Sequence, residues 1–194
     1  YRKKKSSMKK DFLTTDKLRL EVEKLWIQHI KLCQDNFLYF VQEMWQDFIC
    51  RKEKDPSRWG HHQIIAREFT NIAHEKKGRL IINMPPRHTK SEFASIYFPA
   101  WMIGKNPKLK IMQVSHNTEL AVRFGSKVRN LMDTGEYKQI FGDVKLREDS
   151  KAKGRWETNH GGEYFAAGVG GSITGRGADL LIICLLYTSD AADE

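Results

Sequence analysis

Residues 79–103 read RLIINMPPRHTKSEFASIYFPAWMI, and the rest of the chain takes its meaning from them. The first six, RLIINM, form a short apolar run with β-branched isoleucines, bounded by Gly78 on one side and by Pro85 and Pro86 on the other. That is the pattern of a buried strand. Beyond the prolines, Phe93, Ile96, Tyr97 and Trp101 fall at helical spacing. Strand, short loop, helix is the local order in which an α/β domain carries a phosphate-binding loop.

The flanking sequence supports the same class. Residues 109–114 predict a second strand, after which Asn117 can cap a helix carrying Leu120, Phe124, Val128 and Leu131. Eight of the fourteen glycines lie between Gly154 and Gly177, which predicts tight turns around short strands such as residues 164–167. Residues 179–183, DLLII, read as one more buried strand. Upstream, Ile64, Ile65, Phe69, Ile72 and Ala73 mark a helix ending near Gly78. Alternating strands and helices predict an α/β domain over residues 59–183 with a largely parallel sheet flanked by helices.

Before that domain, Leu18, Val22, Leu25, Trp26, Ile30 and Cys33 share one helical face. Phe37, Phe40, Val41, Met44, Trp45 and Phe48 repeat the pattern after Asp35 and Asn36, which suit a helix start. Residues 17–58 are therefore expected to hold a helical hairpin, with the polar stretch 52–58 as a connection. Its aromatic stripe either packs on the domain that follows or binds a partner.

The chain has 194 residues, of which 40% are hydrophobic and 29% charged, excluding a disordered or collagen-like polypeptide. The net charge is +9, and residues 1–10 hold six Lys and Arg with no acid. Residues 1–16 are expected to be a disordered basic tail, solvated or touching nucleic-acid phosphate. Three cysteines without metal or disulfide spacing make a reducing cytoplasm the default compartment. No apolar run approaches a membrane span and no signal-peptide core is present, so no membrane partner is expected. The seven histidines show no metal-binding spacing: His61 and His62 are adjacent, and His74-Glu75 has no second His.

The loop itself departs from the usual Gly, four residues, Gly-Lys-Ser/Thr. It reads Met84, Pro85, Pro86, Arg87, His88, Thr89, Lys90, Ser91, so both pattern glycines are replaced. The physical requirements are better kept than the pattern. Backbone N–H groups at a helix start cradle phosphate, Lys90 would reach the terminal phosphates, the Ser91 hydroxyl would bind Mg²⁺, and Arg87 adds a second cation. Thr89 is the weak point, because a β-branched residue is costly where φ must be positive. Read from these residues alone, the segment fits a phosphate loop or a proline-rich connection.

INMPPRHTKSE at 82–92, with SHN at 115–117 and GSITGRGADLLII at 171–183, resembles the N-terminal ATPase domain of large terminase subunits, the DNA-packaging motors of tailed bacteriophages. The similarity covers roughly residues 35–183, with its three motifs in the family's order. It implies a P-loop NTPase fold that couples ATP hydrolysis to packaging double-stranded DNA into a procapsid. The implied partners are the portal protein, the small terminase subunit and further copies in a homo-oligomeric ring, in the host cytoplasm. It further implies that Pro85, Pro86, Arg87, His88, Thr89, Lys90 and Ser91 form the Walker A loop, with Lys90 on phosphate and Ser91 on Mg²⁺. Residues 59–63 would lie against adenine, Gln63 reading the base. Arg176 would sense or stabilise the transferred phosphate, within the chain or across a subunit interface.

One family feature is missing. The strand at 179–183 should lead into a Walker B pair, and Cys184 and Leu185 stand there instead. Asp179, five residues upstream and roughly 16 Å away along a strand, cannot reach, and a thiol is a poor ligand for Mg²⁺. The chain is expected to bind nucleotide without turning it over. Residues 184–194, CLLYTSDAADE, resemble translated adaptor or read-through sequence, and the chain reads as a fragment at both ends, lacking the family's nuclease domain. Two other readings stay open: another nucleic-acid-dependent P-loop ATPase such as a helicase, and a basic DNA-binding module resting on the tail and on Arg123, Lys127 and Arg129.

Overall fold

The computed structural model describes residues 2–45, 60–171 and 175–184, with side chains described from Asp16 onward except that of Lys151. Helix α1 spans Arg2–Asp35 and takes in the basic stretch that composition marked as disordered. Those 34 residues contain neither Gly nor Pro, and their Lys, Arg and Leu are good helix formers. Asn36, extended at φ −129°, ends α1 and caps α2 (Phe37–Met44) by accepting from the Leu38 N–H at 2.9 Å. Of the two expected helices, the aromatic residues Phe37 and Phe40 of α2 pack on the domain, whereas Leu18, Val22, Leu25 and Trp26 on α1 are exposed. Phe37 meets Phe69, Phe93 and Phe98 edge-on at 5.2–5.8 Å, and Trp101 Nε1 donates to the Cys33 carbonyl. Phe48, Cys50 and the connection at 52–58 lie outside the described residues.

Helix α3 spans Gly60–Ala73. A longer helical run, α4, covers residues 90–105 as Lys90–Glu92, a π-helical turn Phe93–Tyr97, and Phe98–Lys105. Pro99 explains the wide turn: it has no N–H to give and its ring crowds the carbonyl one turn back, and the Phe98 N–H reaches the Phe93 carbonyl instead. Helices α5 (Thr118–Met132) and α6 (Gly135–Ile140) follow strand β1 (Lys110–Ser115). Asn117 caps α5 as expected, accepting from the Leu120 N–H at 2.7 Å.

The sheet has five strands in the order β2-β3-β4-β1-β5, with β2 Leu146–Lys151, β3 Arg155–Thr158, β4 Glu163–Gly168 and β5 Leu180–Cys184. It is mixed, which corrects the expectation of a largely parallel sheet. β1 pairs in parallel with β4 and β5, whereas β2-β3 and β3-β4 are antiparallel. Three residues separate β2 from β3 and four separate β3 from β4. Connections that short allow hairpins and no crossover.

A second correction concerns residues 79–84. They belong to no strand of the sheet. Leu80, Ile82 and Met84 pack against the core while Ile81 is 87% exposed. Burial alternates with the period of a strand, without a hydrogen-bonded strand neighbour among the described residues.

Central strand β1 is buried from Ile111 to Ser115, and α4 crosses its face: Gln113 Nε2 donates to Ser95 Oγ at 3.1 Å. The carboxyl ends of β4, β1 and β5 lie in register at Gly168, Ser115 and Cys184. In a parallel sheet that is the edge where ligands bind.

Candidate functional site

At that edge the chain passes from residues 79–84 through Pro85 and Pro86 and turns sharply into α4. Arg87 and Thr89 both have φ of 62°, the left-handed region that favours glycine. Two such residues flanking His88 carry backbone strain of roughly 1–3 kcal/mol each. A left-handed residue followed by a right-handed one turns consecutive N–H groups to the same side, and a concave array of N–H groups binds anions. Thr89, left-handed, is followed by helical Lys90.

Each side chain expected in the loop can now be placed. Pro85, Pro86, Arg87 and His88 are exposed, and Thr89, Lys90 and Ser91 are half-buried. Arg87 makes no ion pair with an acid among the described residues. His88 Nδ1 lies 2.8 Å from the Pro86 carbonyl, closing the turn locally. Lys90 folds back over the loop, its Nζ donating to the Met84 carbonyl at 3.4 Å. Cation density therefore collects on one turn of chain, while the nearest acid in sequence, Glu92, is tied to Lys127 at 3.1 Å.

Ser91 faces the sheet. The Cys184 thiol donates to its Oγ at 3.4 Å, so the last residue of β5 meets the first turn of α4. Ser115, directly across the ladder from Cys184, is fully buried, and its Oγ has no hydrogen-bond partner among the described residues. The motif SHN had marked this position without giving it a role.

The residues present fit one half of a nucleotide-phosphate site. Left-handed turns, a helix start, Arg87 and Lys90 suit phosphate oxygens. For Mg²⁺ one donor differs: the Ser91 hydroxyl is met by a soft thiol where a hard oxygen ligand would be preferred. Asp179 does not make up the loss. Its carboxylate accepts from the Lys110 N–H at 2.8 Å, at the opposite end of the ladder from Cys184.

Arg176 is likewise not brought to the loop. It lies over the Phe165 ring at 4.1 Å and pairs with Glu163 at 3.3 Å, a carboxylate shared with Arg155, near the amino end of the parallel strands. Gln63 is exposed on the first turn of α3, one residue from His62, which touches the loop; Trp59 lies outside the described residues. Arg123 and Lys127 are exposed on α5, Lys127 in the ion pair with Glu92.

The residue that sequence reading passed over is His62. It is 3% exposed, and its Nε2 lies 2.8 Å from Thr89 Oγ1. Its ring stacks on Phe93 at 5.4 Å and lies 3.8 Å from that of His61. Burial, with His61 and His88 nearby, lowers its pKa to about 4, so it is neutral at pH 7. A signal existed: positions 62, 65, 66 and 69 form the buried stripe of α3, which puts His62 on the core face and His61 beside it. Among the described residues no helix is long and apolar enough to cross a membrane. Compared with family models, with curated proteins and with solved structures, the chain finds no match.

Proposed function

We propose that residues 85–91 are a nucleotide-phosphate loop and that the chain is the ATPase-domain portion of a motor of the large-terminase type. The single observation that carries this reading is the turn at Arg87 and Thr89, left-handed at both, leading into a helix whose Lys90 and Ser91 sit at the carboxyl edge of parallel strands. The fold it implies is that of a P-loop NTPase. Bound ATP would supply the phosphoryl group for transfer to water. The chain's own part is to hold phosphate oxygens with loop N–H groups, Arg87 and Lys90, and to place the base near Gln63. The whole motor would package double-stranded DNA with a portal protein and a small terminase subunit, as a ring in a host cytoplasm. With Cys184 in place of an acid, this chain binds nucleotide and does not hydrolyse it.

The test is a titration of the chain with a fluorescent ATP analogue, in Mg²⁺ and in EDTA, beside a phosphate-release assay. We expect binding that Lys90→Ala weakens at least tenfold and that Mg²⁺ barely affects, with no turnover. Cys184→Asp places an oxygen donor against Ser91 and should make binding Mg²⁺-dependent. ATP hydrolysis by the unaltered chain above that of Lys90→Ala would refute the inactive reading. Duplex DNA binding without any nucleotide binding would instead leave a basic DNA-binding module.

A further inference from the structure

Thr89 occupies a position where a glycine would adopt the observed backbone without strain. Its φ is 62° and ψ 6°, and no side-chain cap holds the helix start that follows. What distinguishes Thr89 from any other β-branched residue there is its hydroxyl, which makes two contacts. It donates to the carbonyl of His88 at 2.6 Å, and its oxygen lies 2.8 Å from His62 Nε2. A hydroxyl has a single proton, so with that proton on the His88 carbonyl its oxygen accepts from His62, and the ring carries its proton at Nε2.

His62 is well placed to hold this bond. It reaches the loop from α3, 27 residues upstream in sequence. The ring is immobilised by Phe93, which lies on α4 just beyond the loop, and by its own burial. Loop and clamp therefore rest on one packed unit, and the turn is over-determined in the manner that strained backbone requires.

We propose that His62 is a positioning residue of the phosphate loop: through the Thr89 hydroxyl it fixes the left-handed turn that a glycine would otherwise supply. The proposal rests on the nucleotide-binding reading for its purpose, and on the His62–Thr89 geometry for its content. It makes the two side chains a unit. A threonine at 89 needs a donor at 62; a glycine at 89 does not.

A double-mutant cycle tests it in the full chain. Affinity for the fluorescent ATP analogue and amide hydrogen exchange at residues 87–91 are measured for His62→Ala, His62→Gln, Thr89→Val, Thr89→Gly and the pair His62→Ala with Thr89→Gly. His62→Ala and Thr89→Val should each weaken binding about tenfold and speed loop exchange. His62→Gln, which can still donate from the place of Nε2, should stay within about threefold of the unaltered chain. Added to Thr89→Gly, His62→Ala should change affinity by less than about threefold. Any cavity left by His62→Ala exists in both backgrounds and cancels from the comparison. An equal loss with and without Thr89→Gly, or no loss in either background, would overturn the clamp. If no variant binds nucleotide, the functional reading fails by itself, and the clamp is still judged by whether His62→Ala speeds loop exchange when Thr89 is intact and not in the Thr89→Gly background.

Discussion

A histidine kept neutral inside a protein links folding to pH in a definite direction. His62 titrates near 6.5 when unfolded and at about 4 when folded, because burial and the two neighbouring imidazoles of His61 and His88 oppose its charge. Between those values the unfolded chain takes up a proton that the folded chain refuses, so stability is lost as the pH falls from about 6.5 to about 4 and levels off below. The full effect is on the order of 3 kcal/mol, of which roughly 2–3 kcal/mol falls between pH 7.0 and 4.5. Urea unfolding at pH 7.0, 5.5 and 4.5 should show the unaltered chain losing about that much more stability than His62→Gln, with acid groups common to both cancelling. Parallel losses in the two proteins would mean that His62 is not held neutral by the fold. At this scale sequence reading found Lys90, Ser91 and the strained Thr89, because each belongs to a linear pattern. It missed the partner of Thr89: the stripe of α3 puts His62 rather than His61 on the core face, but a helical period says nothing of which loop, 27 residues away, that face meets.

Elements were legible where side-chain pattern and backbone pairing agree. β1, paired on both sides, and β5, beside it at the edge of the sheet, are both apolar, and their observed limits lie one residue from those expected. β2, LREDSK, carries charge where an inner strand would carry apolar residues; its Arg147 pairs with Asp149 and Glu157 at the surface, and hydropathy gives no sign of it. Residues 79–84 fail in the opposite way: the alternation is right, but a ladder needs a neighbouring backbone, which pattern alone does not supply. The helical hairpin is the element whose role packing decides. Phe37 is fully buried among three other phenylalanines, whereas Leu25 on α1 is 61% exposed. Phe37→Ala should therefore cost about 3–5 kcal/mol in chemical denaturation, and Leu25→Ser should stay within about 0.5 kcal/mol. Equal effects would mean that the hairpin does not dock through α2.

At the scale of the whole molecule the question is where DNA would touch. The net charge is +9, and Arg2, Lys3, Lys4, Lys5, Lys9 and Lys10 supply two thirds of it, yet residues 11–183 remain at +6 once the acidic Asp190, Asp193 and Glu194 are set aside. In that body several cations are already matched: Arg147 with Asp149 and Glu157, Arg155 and Arg176 with Glu163, Lys138 with Asp133. Exposed ion pairs of this kind contribute little to stability and neutralise charge locally, which leaves the excess on cations such as Arg87 and Arg123. Each phosphate contact lowers the slope of log affinity against log salt by about 0.9 on duplex DNA. If the amino-terminal cations made every contact, deleting residues 1–10 would remove a slope of about 5 and abolish binding with it. A motor body that grips the backbone itself should instead keep measurable duplex affinity after the deletion, with a reduced but non-zero salt slope. Complete loss of binding in the shortened chain, with its melting temperature unchanged, would assign DNA contact to residues 1–10 and remove the charge argument for residues 11–183.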